Sequence, residues 1–519
     1  MTRGRRRDAP RVVVIGAGIG GLCAAADLAR RGAEVTVCER AAVPGGKLRQ
    51  LLVEDGLGVD AGPTVFTMRW IFEGLYADAG RRLEDHLELE TADVLARHAW
   101  RAGGRLDLHA DVERSREAIA AFAGPADARG FAAFCARSRD VYATLKDSFI
   151  AAERPSPLSL TQRVGLRRLD ALLRLKPWAT LWGALGEHFT DPRLRQLFGR
   201  YSTYVGSSPL ATPATLMLVA HVEQDGVWLV RGGMARVARA IRELAESQGA
   251  SFRFGAEVAE IRVEHGRVCG VRLAGGEHLA ADAVLHNGDC AALAQGRFGP
   301  AVARAVPDVP RAKRSLSAVT WCLRACTRGF PLEHHNVFFA EDYPAEFAAI
   351  FGRREIVDAP TVYVCAQDRG GGRVPAHVAR ERLLVLVNAP ADGDRADFPP
   401  AALAALEERT FALLAACGLQ VDLDGAARAV TTPAGFDALF PGTGGALYGR
   451  ASHGPMASFA RPGARSRVRG LYLAGGSVHP GPGVPMAAMS GRLGAARLLE
   501  DLAAAAVRAG GEQLVDDLR

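Results

Sequence analysis

The chain has 519 residues, a formal net charge of +7, 49% hydrophobic residues and 23% charged residues. These are ordinary proportions for a globular protein of two or three domains, and they exclude a disordered chain or a solenoid of charged helices. The 58 glycines and 27 prolines follow no period, which excludes a fibrous protein. Lys47, Lys146, Lys176 and Lys313 are the only lysines, so the positive charge is nearly all arginine. That reads as a composition bias or as attraction to an anionic surface; no nucleic-acid partner is expected. Nine scattered cysteines, with Cys322 and Cys326 the closest pair, suit a reducing cytoplasm and neither zinc nor thioredoxin chemistry. Residues 1–10 are basic without a following signal-peptide core, and no segment reads as a transmembrane helix.

Residues 11–15 form a β-branched run bounded by turn residues, the pattern of a buried parallel strand. They lead into Gly16, Gly18, Gly20 and Gly21, which open a helical pattern through Leu22, Ala25, Ala26 and Ala29. Gly32 stops the helix, residues 33–38 read as a second strand, and Glu39 ends it. This is a dinucleotide fingerprint in its proper context. Gly16 makes the tight turn, Gly18 admits the pyrophosphate, and Gly21 allows close helix–strand packing. The helix start offers N–H groups to phosphates, and Glu39 would accept from a ribose hydroxyl.

Pro44, Gly45, Gly46 and Lys47 come next, where flavoproteins of the amine-oxidase type carry a Gly-Gly-Arg/Lys element. Near the C-terminus, residues 470–486 read as strand, glycine turn and loop, then an Ala-rich helix from about Pro485 past Leu499. That helix start would aim positive potential at the N1/O2 edge of an isoalloxazine, with Gly475, Gly476, Pro485 and Met486 around it. FAD is therefore expected in preference to NAD.

With residues 59–64, 231–234 and 479–485 added to these motifs, the sequence resembles the bacterial phytoene desaturase-type carotenoid oxidoreductases over nearly its whole length. Residues 60–72 look most like the 1-hydroxycarotenoid 3,4-desaturase branch; phytoene desaturases tend to carry Pro where this chain has Arg69. The resemblance implies an α/β fold: a discontinuous Rossmann-type FAD-binding domain (9–74, 226–298, 459–510) and an α+β substrate domain (75–225, 299–458). It also implies that Gly46, Lys47, Gly62, Pro63 and Thr64 lie against the cofactor. The backbone of Val258, on a strand over 252–258, would meet the adenine. Asp289 reads first as a helix N-cap. The apolar strands over 317–323 and 382–388 either line a tunnel or fill a core.

The implied reaction is FAD-dependent C3–C4 dehydrogenation of an acyclic 1-hydroxycarotenoid, with hydride passing to flavin N5 and oxygen or a quinone as terminal acceptor. Alternatives are a phytoene- or neurosporene-type desaturase, another FAD-dependent oxidoreductase or isomerase of the fold, or a flavin- or lipid-binding carrier. Residues 160–178 place leucines at helical spacing among four arginines and one lysine, followed by Trp178 and Trp182. That reads either as an ordinary surface helix or as an interfacial helix. A bilayer-dissolved carotenoid favours the second, with membrane contact over about 160–185 and a cytoplasmic protein peripheral to the inner or intracytoplasmic membrane. No nucleophile elbow, HExxH motif or CxxC pair is present, no metal is expected, and no catalytic side chain is assigned. His334 and His335 read as surface histidines, and His479 either shapes the glycine loop or bonds the cofactor.

Overall fold

Val12, Val13 and Val14 are buried on alternate faces of one strand, a pattern that requires cover above and below. The computed structural model describes residues 9–516 except 55, 166–174, 372–379 and 396–397. In it this strand, β1 (Arg11–Ile15), is the centre of a five-stranded parallel sheet. β2 (Glu34–Glu39) and Ala283–His286 flank it, with Ser251–Phe254 and Leu471–Leu473 at the edges. The strands come from three separated stretches of chain, so the layer is discontinuous. The helix α1 (Ile19–Arg30) follows β1 and crosses the long C-terminal helix Val484–Asp516. Gly491 permits that crossing, because a Cβ there would stand 2.0 Å from the Gly20 carbonyl oxygen.

The expected strand over 252–258 is two strands. Ser251–Phe254 completes the parallel sheet, and Gly255, at φ +65°, turns the chain. Val258–Glu264 then opens a three-stranded antiparallel sheet with Arg267–Leu273 and His278–Ala280.

A seven-stranded sheet forms the second layer, in the order Ala427–Thr431, Ser317–Ala325, Glu381–Ala389, Val362–Ala366, His335–Phe339, Val94–Trp100, Arg105–His109. Its centre shows that the apolar strands do both things expected of them. Val319, Trp321, Leu323, Leu383, Val385 and Val387 face a core that includes Leu406, Leu413 and Leu414 of the helix Pro400–Ala416. Thr320, Leu384, Leu386 and Asn388 alternate with them and line a cavity on the other face. Beside the sheet, the helix Pro125–Leu145 packs with two short helices around Phe131, Phe134, Phe189 and Phe198. Phe189 and Phe198 stack with centroids 4.8 Å apart.

Two expected domain boundaries move. The one after residue 74 falls inside the helix Trp70–Asp78, whose Ile71, Phe72, Leu75 and Tyr76 all join the core around α1. The one after residue 225 falls too early: Trp228–Val230 pairs with Leu89–Thr91, while Val227 and Leu229 pack in the helical core.

Candidate functional site

Residues from both large sheets line one cavity of about 1220 Å³, larger than the roughly 300–1,000 Å³ of a site for a single small ligand. Gly16, Gly18, Gly20, Glu39, Gly46, Lys47, Gly62, Pro63, Thr64, Val258, Gly475, Gly476, Pro485 and Met486 all contribute to its wall. Gly21 does not. It is buried in α1, where a Cβ would come within 2.1 Å of the Gly16 carbonyl oxygen, so it serves helix–strand packing as expected.

At the nucleotide end, Gly18 is the N-cap of α1 and supplies no side-chain acceptor, which leaves the first-turn N–H groups for an anion. The carboxylate of Glu39 is held at the end of β2: Ala17 N–H donates to Oε2 at 2.7 Å and Ala41 N–H to Oε1 at 2.8 Å. Each oxygen keeps capacity for a further donor, as a ribose hydroxyl would supply. Val484, Pro485 and Met486 begin the C-terminal helix on the same wall, beside the first turn of α1. An uncapped helix start, an oriented carboxylate and a second helix start on one cavity fit FAD. Bound there, it would supply the hydride acceptor.

Lys47 projects into the wall, donates to the Leu447 carbonyl and lies 5.5 Å from the Phe440 ring centroid. Burial lowers its ammonium pKa, with the negative charge of Asp289 opposing the shift. Asp289 is the expected N-cap, its Oδ1 accepting from Ala291 N–H at 2.9 Å. His479 lies behind the glycine loop, its Nε2 at 2.9 and 3.0 Å from the carbonyls of Phe149 and Ala152. Its role is therefore to shape that loop.

Two residues at the centre of the site escaped the sequence reading. Asn287 donates from Nδ2 to the Gly16 carbonyl at 3.1 Å, and its amide is the group that a Cβ on Gly20, Gly21 or Gly475 would strike. Arg461 is 3% exposed and fans across three backbone carbonyls, those of Tyr448 (3.2 Å), Gly476 (3.2 Å) and Arg450 (2.6 Å). Burial lowers its guanidinium pKa to about 10. A lone Asn carries no pattern, and one arginine among so many carries no signal.

The surface reading is overturned for His335, while His334 is partly exposed. His335 is 3% exposed because it opens a strand fully paired on both sides. Its Nδ1 lies 2.7 Å from the Tyr363 hydroxyl, which in turn lies 2.7 Å from Thr64 Oγ1. His334 Nε2 is 3.4 Å from Cys365 Sγ, and one potential ligand atom of each of His334, His335 and Cys365 falls within 4.8 Å of the others. Of this group His335 lines the cavity, beside Tyr363 and Thr64, and His334 and Cys365 do not.

Burial lowers the imidazole pKa of His98 to about 3 and those of His286, His453 and His479 to about 4. In an unfolded chain these rings titrate near 6.5, at roughly the ordinary histidine value. Between the two values the unfolded state binds more protons, so stability falls as pH drops from about 6.5 toward 4. Thermal unfolding should give a lower midpoint at about pH 5 than at about pH 7.5. An unchanged or higher midpoint in acid would contradict these buried neutral rings.

Over residues 19–499 the sequence matches the family model described as flavin containing amine oxidoreductase. It is 55% identical to the hydroxyneurosporene desaturase of Rubrivivax gelatinosus over 493 residues, 95% of this chain and 94% of that protein. It is 30% identical to the 1-hydroxycarotenoid 3,4-desaturase of a Flavobacterium species over 503 residues, 93% of this chain and 98% of that protein. An oxidoreductase from Methanosarcina mazei shares the fold, with a TM-score of 0.56, 18% identity and coverage of 94% and 100% of the two chains.

Proposed function

We propose that this chain, which belongs to the flavin-containing amine oxidoreductase family, introduces the C3–C4 double bond of an acyclic 1-hydroxycarotenoid. The chain is an FAD oxidoreductase. The observation that carries the substrate reading is a single cavity whose wall joins a dinucleotide cradle to a mainly apolar chamber. Both relatives carry names of carotenoid desaturases, and the second names this position.

C4 of such a substrate is allylic, so loss of hydride leaves charge delocalised along the polyene. The C3–H electron pair then closes the double bond, and the proton leaves to a weak base or water. FAD held by the glycine turn, Glu39 and the start of the C-terminal helix would supply the hydride acceptor, N5. The protein's part is to hold the chain straight and dry: Leu384 and Leu386 on the sheet and Leu145, Val219 and Val222 on the helices line the chamber. Oxygen or a quinone would serve as the terminal electron acceptor.

A carotenoid has to enter from lipid, and the chamber has a suitable rim. Leu158, Trp178, Leu210 and Met456 are exposed, while neighbouring Pro157, Leu160, Pro177 and Pro455 line the cavity. The rim loops are tied together by bonds from Trp182 N–H to the Pro209 carbonyl and Gly454 N–H to the Ala211 carbonyl. Part of the expected contact segment, residues 166–174 with Arg167 and Arg168, lies outside the described residues. Arg163 donates to the carbonyls of Ser148 and Glu153, so charge reversal there would damage a loop. No described helix is long and apolar enough to cross a membrane. We place the protein on the cytoplasmic face of the inner or intracytoplasmic membrane, held by this rim. Replacing Leu158 and Met456 with Ser and Trp178 with Ala should weaken cosedimentation with anionic vesicles by about tenfold or more while flavin stays bound. Unchanged vesicle binding would exclude the rim.

The reaction is tested by offering phytoene, lycopene and a 1-hydroxylated acyclic carotenoid separately to the FAD-loaded protein in lipid, with oxygen or a quinone. A longer chromophore from the hydroxylated compound alone is expected. Colour from phytoene would move the enzyme to the early desaturases. No change with any compound would leave a flavin- or lipid-binding carrier.

A further inference from the structure

A buried guanidinium in an apolar chamber needs an acceptor, and a buried carboxylate needs donors. Arg200 and Glu223 line the chamber together, yet they do not close on one another. Among the described residues, the Arg200 guanidinium makes one hydrogen bond, from Nη1 to the Tyr204 hydroxyl at 3.2 Å. It lies over the rings of Tyr204 and Tyr363 at 5.3 and 5.1 Å from their centroids. Glu223, 7% exposed, accepts from the Tyr201 hydroxyl at 2.8 Å, and the Tyr201 ring meets the Tyr204 ring edge to face with centroids 5.6 Å apart. Tyr204 therefore accepts from the arginine and lies beside the tyrosine that donates to the carboxylate.

We propose that Arg200 and Glu223, spaced by Tyr204, form a socket for the tertiary oxygen at C1 of the substrate. The inference rests on the reaction proposed above and names the residues that set its specificity. An alcohol both donates and accepts. The remaining N–H groups of Arg200 meet its lone pairs, and Glu223 meets its proton. A pair retained only for stability would join directly, since a direct contact offsets more of the desolvation cost than a bridged one.

The location agrees. The Tyr363 ring under Arg200 bonds through its hydroxyl to Thr64, on the cavity-lining loop that would lie against the flavin. The oxygen on C1 is within three bonds of C3, so a hydroxyl socket has to sit beside the reacting carbons. The rest of the polyene then runs away from it, along the chamber toward the rim. Leu95, Leu145 and Val219 supply apolar wall there and no competing charge.

The test compares wild type, Arg200→Met and Glu223→Gln, each loaded with FAD, on three acyclic carotenoids: 1-hydroxylated, 1-methoxylated and unsubstituted. Arg200→Met should lower kcat/KM for both oxygenated substrates relative to the unsubstituted one by about 30-fold, the value of one charge-assisted hydrogen bond. Glu223→Gln should change the hydroxy-to-methoxy ratio, because only the alcohol donates. That is a signature no general loss of packing would produce. Ratios that stay within about threefold in variants that keep their flavin would overturn the socket. Should Arg200→Met not fold, the near-isosteric Glu223→Gln and Tyr204→Phe give the same ratios and decide the matter. Wild-type protein that converts no oxygenated carotenoid would overturn the proposed reaction itself, whereas a wild-type preference unaltered in the variants overturns the socket alone.

Discussion

Gly20→Ala protein is expected to purify almost free of flavin. The added Cβ would lie 2.5 Å from Asn287 Oδ1, 2.9 Å from the Ala487 carbonyl oxygen and 3.0 Å from the Gly475 amide nitrogen. Four segments meet at that point: the first turn of α1, the loop after Ala283–His286, the glycine loop after Leu471–Leu473, and the start of the C-terminal helix. Two of the three obstacles are backbone atoms, so no rotamer change relieves the clash. Overpacking of this kind costs about 1–3 kcal/mol, sometimes more, and it falls on the elements that shape the cradle. A loss of about 3 kcal/mol of binding weakens the flavin more than 100-fold. Flavin absorbance per chain after gel filtration measures the effect. Gly32→Ala is the control: its Cβ would meet nothing within 4 Å, and only the strain of its φ of +96°, about 1–2 kcal/mol, is added far from the cradle. Full flavin in Gly20→Ala would refute the account of this junction.

Arg461→Met should cost the fold more than any surface change. It strips a donor from the carbonyls of Tyr448, Arg450 and Gly476 at once, by removing a guanidinium that is itself 3% exposed. An unsatisfied buried acceptor costs about 1–3 kcal/mol, so three approach the whole stability of a typical domain, about 5–15 kcal/mol. The same residue ties the 448–450 loop, next to the Leu447 carbonyl that holds Lys47, to the glycine loop at Gly476. The variant should therefore fail to accumulate in soluble form, or release flavin at a temperature lower by about 10 °C or more. Arg461→Lys should recover part of the loss, since an ammonium keeps the charge and reaches fewer of the carbonyls. A melting curve of flavin fluorescence reads both variants, and a wild-type curve for Arg461→Met would contradict the role.

What could be read from the sequence was local. The glycines after residue 15, the Glu39 terminus and the loop at 475–476 declare themselves because phosphate binding and tight backbone contact demand particular residues at fixed spacings. Their neighbours in space are a different matter. Asn287 stands 271 residues from Gly16, and only pairing of Ala283–His286 with β1 brings the two together. Arg461 and Arg200 were hidden by a composition in which arginine is common. His335 reads as a surface residue because adjacent residues point in different directions, and the strand that buries it is set by long-range pairing with Val362–Ala366 and Val94–Trp100. The strand at 252–258 was drawn too long because a positive φ at Gly255 leaves no mark that distinguishes it from other glycines.

If the cradle and the apolar chamber form one reaction site, hydride leaves C4 of a carotenoid held beside FAD. Anaerobic mixing of FAD-loaded protein with a 1-hydroxylated acyclic carotenoid, followed by flavin absorbance, reads that transfer. Bleaching of the flavin in step with a longer polyene chromophore is expected, and slower bleaching when C4 carries deuterium. Bleaching at the same rate with deuterium in a chemistry-limited step, or no bleaching at all in protein that holds both ligands, would contradict it.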